Sequence, residues 1–414
     1  MQEQTSRLGL WIIIGPMLAL VPIVALQGPA HIIPVDVLNA AFVAVYWCWL
    51  LARRETVSFP LLGPIWLLLL GSCLALYGAA YRGTGVLTIV EEVYLYVWFV
   101  TLAHLLTRAN LPQVIELWAV VAAGLGLLSF ADLHRHVLGG ILLEGCCRAQ
   151  GTFENPNMFG NYLVVTFFLV WAAAASGRRR LYLALPAVLA GILATGSNGA
   201  TLALASGGMT TFAWRNMRRP LPALGLALVL GAVVLGILGS QRDEAQEALA
   251  ALSSRERGEV GGAAEKGYVE RTEIWSEAIE LIRRAPMGVG PGNFSQLSGS
   301  VSGTYNSAHN DYLGMMVERG PLGLAAWCAL LAAVCGWLGR MQGAARPSPL
   351  AVEPLWGLMA AIVVHGLVVE LSHFRHVWFA LAIVAAALAR STRDHRVPAA
   401  VVWAPPRAAA LEVA

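Results

Sequence analysis

What most constrains this chain is a succession of long apolar runs with arginines at every second boundary. A helix needs about 20 mostly apolar residues, at about 1.5 Å rise each, to cross the hydrocarbon layer of a membrane. Runs of this kind lie near residues 8–26, 36–52, 60–79, 85–106, 113–130, 157–176, 181–195, 199–213, 221–239, 321–339, 351–371 and 376–390. The seventh and eighth are short, and only Gly196-Ser197-Asn198-Gly199 separates them. Charged residues make up 13% of the chain and hydrophobic ones 57%. Soluble domains carry about a quarter charged residues, so this chain has too little polar surface to be one. The pattern predicts an all-α, polytopic integral membrane protein of about twelve transmembrane helices. The lipid bilayer is then an obligatory partner, and nothing predicts a nucleic-acid partner.

Loops that stay in the cytoplasm carry an excess of Lys and Arg. With the N-terminus inside, the inner loops hold Arg53, Arg54, Arg108, Arg178 to Arg180, Arg215, Arg218, Arg219, Arg340 and Arg346, and the tail adds Arg390, Arg393 and Arg396. The short outer loops hold only Arg82, Arg135, Arg148 and Arg375. This alternation fits twelve crossings and both termini in the cytoplasm. The first run lacks a small-residue cleavage site and reads as a membrane helix, not a signal peptide. Residues 1–239 then hold helices one to nine with short loops. Residues 240–320 form a large helical periplasmic loop, 321–390 hold helices ten to twelve, and 391–414 are a cytoplasmic tail.

The large loop opens with a charged, Ala/Glu-rich stretch, Gln241 to Glu265, which predicts weak helix or flexible chain. An amphipathic helix follows over about 269–284, with Ile274, Ala278, Ile279 and Ile282 at helical spacing. Pro286 stops it, and Gly288-Val289-Gly290-Pro291-Gly292 predicts a tight turn. That glycine run has no following Gly-Lys-Ser/Thr and so is not a nucleotide-phosphate loop. No internal repeat of the transporter kind is visible. Cys48, Cys73, Cys328 and Cys335 lie in apolar runs and predict buried thiols. Cys146 and Cys147 are adjacent, where a disulfide would be strained and is not expected. No cysteine pair has zinc-ligand spacing, and His134 with His136 lacks a third ligand, so neither a metal nor another cofactor is expected.

Four segments fall on the outer side. Arg148 leads into Gly151-Thr152-Phe153-Glu154-Asn155-Pro156-Asn157, Arg271 precedes Trp275, Ser307-Ala308-His309-Asn310-Asp311-Tyr312-Leu313 follows, and His373-Phe374-Arg375-His376 closes the set. Arginine binds phosphate oxygens in a bidentate fork and stays charged at any working pH. Outward arginines oppose the sorting rule. They are either anion ligands or solvated loop charges. His309 lies at the start of a short helix expected over His309 to Arg319, with Ser307 or Asn306 as its cap. A helix N-terminus disfavours imidazolium, which leaves a neutral ring able to take a proton from a hydroxyl. The alternative is a histidine that only hydrogen-bonds its loop. Glu91, Glu92, His365 and Glu370 lie in the outer thirds of their spans. They line an outward-open cavity or pair with outer arginines.

At these residues the chain resembles the O-antigen ligase family of membrane glycosyltransferases, which includes O-antigen polymerases and protein O-oligosaccharyltransferases. The resemblance runs from about Arg148 to Trp378. It is carried by Gly151 to Asn157, by Arg271 through Gly292, by His309-Asn310-Asp311-Tyr312-Leu313 with Glu318-Arg319-Gly320-Pro321-Leu322-Gly323, and by His373-Phe374-Arg375 with Trp378. One departure is Ser197-Asn198-Gly199, where many members have Ser-Arg-Gly. The resemblance implies an inner-membrane enzyme that moves a saccharide from undecaprenyl pyrophosphate to an acceptor hydroxyl on the periplasmic side, by metal-independent inversion. It implies catalytic roles for Arg148, Arg271 and His309. Arg375, Arg82, Asn155, Asn157, Tyr312, His373, Glu91 and Glu92 are then candidates for substrate binding. The implied donor is undecaprenyl-pyrophosphate-linked O-antigen and the implied acceptor is lipid A–core. A polymerase shares the same donor chemistry. A twelve-helix lipid or sugar transporter is the rival from another class, and it would place its ionisable groups nearer the bilayer midplane.

Overall fold

The computed structural model describes residues 34–144, 147–216, 263–302, 307–344, 346–392 and 401–403. The runs near 8–26 and 221–239, most of the charged stretch after Gln241, Cys146, and the tail apart from 401–403 lie outside the described residues. The described chain is almost wholly helical. Helices α1 (Pro34–Arg53), α2 (Leu62–Tyr77), α3 (Arg82–Leu106), α4 (Leu111–Arg135) and α5 (Pro156–Ala175) are followed by a 3-10 turn (Arg179–Ala184) that leads into α6 (Leu185–Ala194). Then come α7 (Asn198–Arg215), α8 (Ala263–Arg284), α9 (Phe294–Ser302), α10 (Asp311–Gln342), α11 (Val352–His365) and α12 (Arg375–Thr392). Strands are limited to β1 (Val57–Phe59) paired antiparallel with β4 (Val401–Trp403), and a hairpin of β2 (Leu143–Glu144) with β3 (Arg148–Ala149). Among the described residues, five helices are long and apolar enough to cross a membrane: α1, α3, α4, α5 and α10. Helices α2 and α11 are apolar but shorter.

The helices run back and forth between two ends. At one end lie the basic groups. Arg108 bridges the Tyr46 hydroxyl and Glu55, Arg178 and Arg180 share Glu116, and the Arg390 guanidinium caps the carbonyls of Leu106, Thr107 and Ala109 that end α3. At the other end Arg375 forks onto Asp36, and the hairpin carrying Arg148 meets the starts of α5 and α7. Small residues let the helices approach, as in membrane bundles. A Cβ on Gly357 of α11 would sit 2.6 Å from the Gly207 carbonyl oxygen of α7. One on Gly191 of α6 would sit 2.8 Å from Gly126 Cα of α4. Trp118 and Phe379 stack at 4.4 Å between α4 and α12. Cys48, Cys73 and Cys328 are free and exposed rather than buried, and Cys335 is half-buried. They sit on outward faces beside exposed Val45, Trp49, Leu70 and Leu74. A thiol is apolar enough for a lipid-facing position.

Helix α10 breaks at Gly320, whose φ of 66° and ψ of −164° lie outside the helical region, and Pro321 restarts it. The break frees the carbonyls of Val317 and Glu318. Val289 N–H and Gly290 N–H take them at 2.9 and 3.0 Å. The glycine turn is therefore a plug for a broken helix, with its amides committed. Gly288 permits this approach, since a Cβ there would lie 2.5 Å from the Glu318 carbonyl oxygen. Arg319, buried at the break, is held by Glu92 of α3 and by Glu318 at 2.9 Å. Helix α8 starts at Ala263, several residues before the amphipathic pattern becomes visible. It packs Ile274, Ala278 and half-buried Ile282 against Val289, Phe294, Ala308 and Val317. Ile279, expected on the same face, is 46% exposed.

Candidate functional site

The residue that anchors the site is Arg148 in the β2–β3 hairpin. Its Nε donates to the Thr195 carbonyl at 3.0 Å, and Nη2 donates to Asn157 Oδ1 at 3.2 Å. Nη1 lies 3.5 Å from Glu144 Oε2, and the side chain stays 37% exposed. Asn157 Oδ1 also accepts from Ser197 Oγ at 2.8 Å. Ser197 in turn caps α7 by accepting from the Ala200 N–H. Asn155 caps α5 by accepting from the Met158 N–H at 2.9 Å, and Pro156 opens that helix. The two asparagines thus fix the starts of α5 and α7 around one guanidinium that keeps an open side. Asn198, at the position where the sequence departs from the family pattern, lies exposed in that same turn. Cys147, next to Arg148, is disulfide-bonded.

From this turn a chain of contacts leads to His309. Gly199 lies against His365, with a would-be Cβ 3.1 Å from its Nε2. His365 ends α11 and is fully buried, with Nδ1 2.8 Å from Asn161 Nδ2; Asn161 Oδ1 lies 2.8 Å from His376 Nε2. The next carbonyl, of Gly366, accepts from the Asp311 N–H at 2.8 Å. Asp311 opens α10 and follows His309 by two residues. The run expected over 351–371 is therefore helical only to His365. Glu370 and His373 sit on the irregular segment 366–374 between α11 and α12.

The structure moves the cap of the His309 helix. Asn310 is the N-cap, accepting from the Leu313 N–H at 3.0 Å, and not Ser307, while Asn306 lies outside the described residues. His309 precedes the cap with a left-handed φ of 47°. Its Nδ1 lies 3.3 Å from Ser307 Oγ. Around it stand Glu370, which accepts from the Ala308 N–H, and His373, whose Nε2 is 3.3 Å from Glu370 Oε2. Desolvation by the surrounding loop would by itself lower the His373 pKa, but the hydrogen bond and charge of Glu370, helped by Asp311, raise it to about 9, and the ring keeps about half of its surface exposed. His373 is thus an imidazolium at neutral pH, a donor to anions and not a proton acceptor. Asp311 Oδ1 accepts from the Ser372 N–H at 3.2 Å, while Oδ2 is buried with no hydrogen-bond partner within 3.5 Å among the described residues.

Helix α8 is tied to this segment by Trp275 Nε1, which donates to the Ala308 carbonyl at 3.0 Å. Arg271 lies one turn before Trp275 on α8; its side chain lies outside the described residues. The other candidates divide by their partners. Arg375 is neutralised by Asp36, and Glu92 by Arg319 and by Ser72 Oγ at 3.3 Å. The Tyr312 hydroxyl donates to the Val363 carbonyl at 2.9 Å, tying α10 to α11. Arg82 is exposed, with Nη2 donating to the Tyr77 carbonyl at 3.2 Å, and Glu91 is exposed on α3. Sequence reasoning missed Asp311 and Asn161 as organisers of the site. The signal for Asp311 was its place directly after His309-Asn310. Asn161 showed only as one polar residue in an apolar run.

Residues 181–328 match the family described as O-antigen ligase. The matched segment runs from the 3-10 turn through α8 and the His309 segment into α10. It supports the O-antigen ligase family for this chain, and with it a membrane glycosyltransferase of the ligase or polymerase type. No curated protein matches the chain.

Proposed function

We propose that this chain, which carries an O-antigen ligase domain over residues 181–328, transfers O-antigen polysaccharide from undecaprenyl pyrophosphate to a sugar hydroxyl of lipid A–core at the periplasmic face of the inner membrane. The observation that carries the reading is the gathering of Arg148, the His309 segment and the His373–Glu370 pair at one end of the bundle, linked through Gly199, His365, Gly366 and Asp311. The open side of Arg148, Arg271 and the His373 imidazolium neutralise the donor pyrophosphate and stabilise it as it leaves. His309 takes the proton of the acceptor hydroxyl while that oxygen attacks the anomeric carbon from the face opposite pyrophosphate, with inversion. Pyrophosphate leaves as a stable anion, so no dedicated acid is required.

Purified protein mixed with lipid-linked O-antigen and lipid A–core should produce joined polysaccharide at the same rate with and without EDTA. Among the described residues no group of three or more His, Cys, Asp or Glu side chains is placed to hold a metal. Activity lost in chelator and restored by Mg²⁺ or Mn²⁺ would reverse the metal-independent reading. Elongation of donor chains with no transfer to lipid A–core would assign a polymerase instead.

The orientation has its own test. A cysteine at Gly262 should react with a membrane-impermeant maleimide in intact spheroplasts, and one at Arg179 should react only after lysis. Labelling at Arg179 in intact cells would place the site end in the cytoplasm.

A further inference from the structure

At the end of the bundle opposite the site lies a cavity of about 510 Å³ lined by Trp171, Arg179, Tyr182, Arg215, Ala351 and Glu353. Three helices join the two ends. Helices α5 and α7 begin at the site, with Pro156 and Asn198, and finish at the cavity; α11 begins at the cavity and finishes with His365. A 20-residue helix such as α5 spans about 30 Å, so site and cavity face opposite surfaces.

The cavity is chemically distinctive. Arg179 and Arg215 both line it. Among the described residues neither guanidinium has an ion pair or a hydrogen-bond partner, although Arg178 and Arg180 beside Arg179 are both bound to Glu116. Helix α11 starts here at Val352, after Ala351, without a side-chain cap, so the Val352 and Glu353 amides add to the positive field. Glu353 is the opposing charge, one carboxylate against two guanidiniums. Trp171 and Tyr182 supply the amphipathic rings found at headgroup depth. Leu183, directly after the cavity-lining Tyr182 on the 3-10 turn, is 83% exposed.

We propose that this cavity binds the headgroup of an anionic phospholipid, its phosphate forked between Arg179 and Arg215 and its acyl chains running out past Leu183. Basic pockets between helices at the cytoplasmic surface suit such headgroups, and arginine forks match phosphate geometry. The Trp171 and Tyr182 rings lining the cavity, with Leu183 exposed beside Tyr182, favour a lipid over free phosphate.

Native mass spectrometry of the full chain tests this, with micelles holding equal phosphatidylglycerol and phosphatidylcholine. Wild type should retain phosphatidylglycerol preferentially. A basic group near a membrane surface favours an anionic lipid by about fivefold. Arg179→Gln with Arg215→Gln should therefore cut the preference by roughly 25-fold. Glu353→Gln removes the opposing charge and should strengthen retention, a gain that no folding defect can produce. Equal retention of the two lipids by wild type, an unchanged preference in the double variant, or weaker retention in Glu353→Gln would overturn the proposal. So would complete displacement of the lipid by millimolar inorganic phosphate, which would assign a free-phosphate site.

Discussion

Arg148→Ala is expected to cut polysaccharide transfer by about 10²–10³-fold, the loss that follows removal of one preorganised donor to a developing anion. The geometry explains why the loss should fall on activity and not on folding. The guanidinium is partly exposed, and its contacts are with the Thr195 carbonyl, Asn157 and Glu144 at the end of the bundle. Alanine leaves those acceptors open to water and no buried unpaired charge. Arg148→Lys keeps the charge but loses the fork. It cannot serve Thr195 and Asn157 together while also facing a pyrophosphate, so it should restore only part of the rate. Asn157→Ala should act through Arg148, lowering transfer less and leaving lysine at 148 no worse than in the native background. Arg271 stands on a different element, and its removal should cost as much. If both single alanine variants transferred at near-wild-type rates, the arginines would be solvated loop charges and the donor would bind elsewhere. If only the Arg148 variant failed, the second anion ligand would be sought in His373.

The long apolar helices α1, α3, α4, α5 and α10 were legible because lipid imposes a length, and apolar runs of about 20 residues record it. The break in α10 was legible too, since Gly320-Pro321 separates the expected short helix from the following span. Long-range polar partners were not. Arg375 reads as a free outward cation until Asp36, at the far end of the chain, is seen to neutralise it. Glu92 reads as a cavity carboxylate until Arg319 occupies it. A polar residue in an apolar run announces that it needs a partner, but the pattern carries no information about which helix supplies one. The end of α11 failed for a related reason. Gly366 to Leu371 is apolar enough to extend a span, yet the Gly366 carbonyl and the Ser372 amide are bonded to Asp311 and not within a helix. Asn155, Ser197 and Asn310 act locally, as helix caps, whereas Asn157 reaches across to Arg148 and Ser197 on other elements.

His309→Ala is expected to lower the rate by about 10²–10⁴-fold with donor binding almost unchanged, the loss typical of a missing general base. The ring sits just before the Asn310 cap, with Ser307 Oγ at Nδ1, and it shares its surroundings with Glu370 and His373. His309→Gln hydrogen-bonds but cannot take the proton, so it should be nearly as slow. The pH profile should have two limbs with different owners. On the acid side His309, the proposed base, is lost to protonation and the rate drops. At high pH the loss comes from His373, whose proton is held up to about 9. A group raised in this way keeps its charge, and the stability drawn from Glu370, fully below the unfolded value near 6.5, and loses both as pH climbs through about 9. Donor binding should therefore weaken on the alkaline side. His373→Gln should remove the alkaline limb and leave the acid limb in place, while His309→Gln should do the reverse on a much slower background. If His309 only positions the donor, donor affinity collapses in His309→Ala, glutamine rescues it, and the acid limb survives in His309→Gln. That result would move the base to another group of the cluster, with the Glu370 carboxylate the nearest.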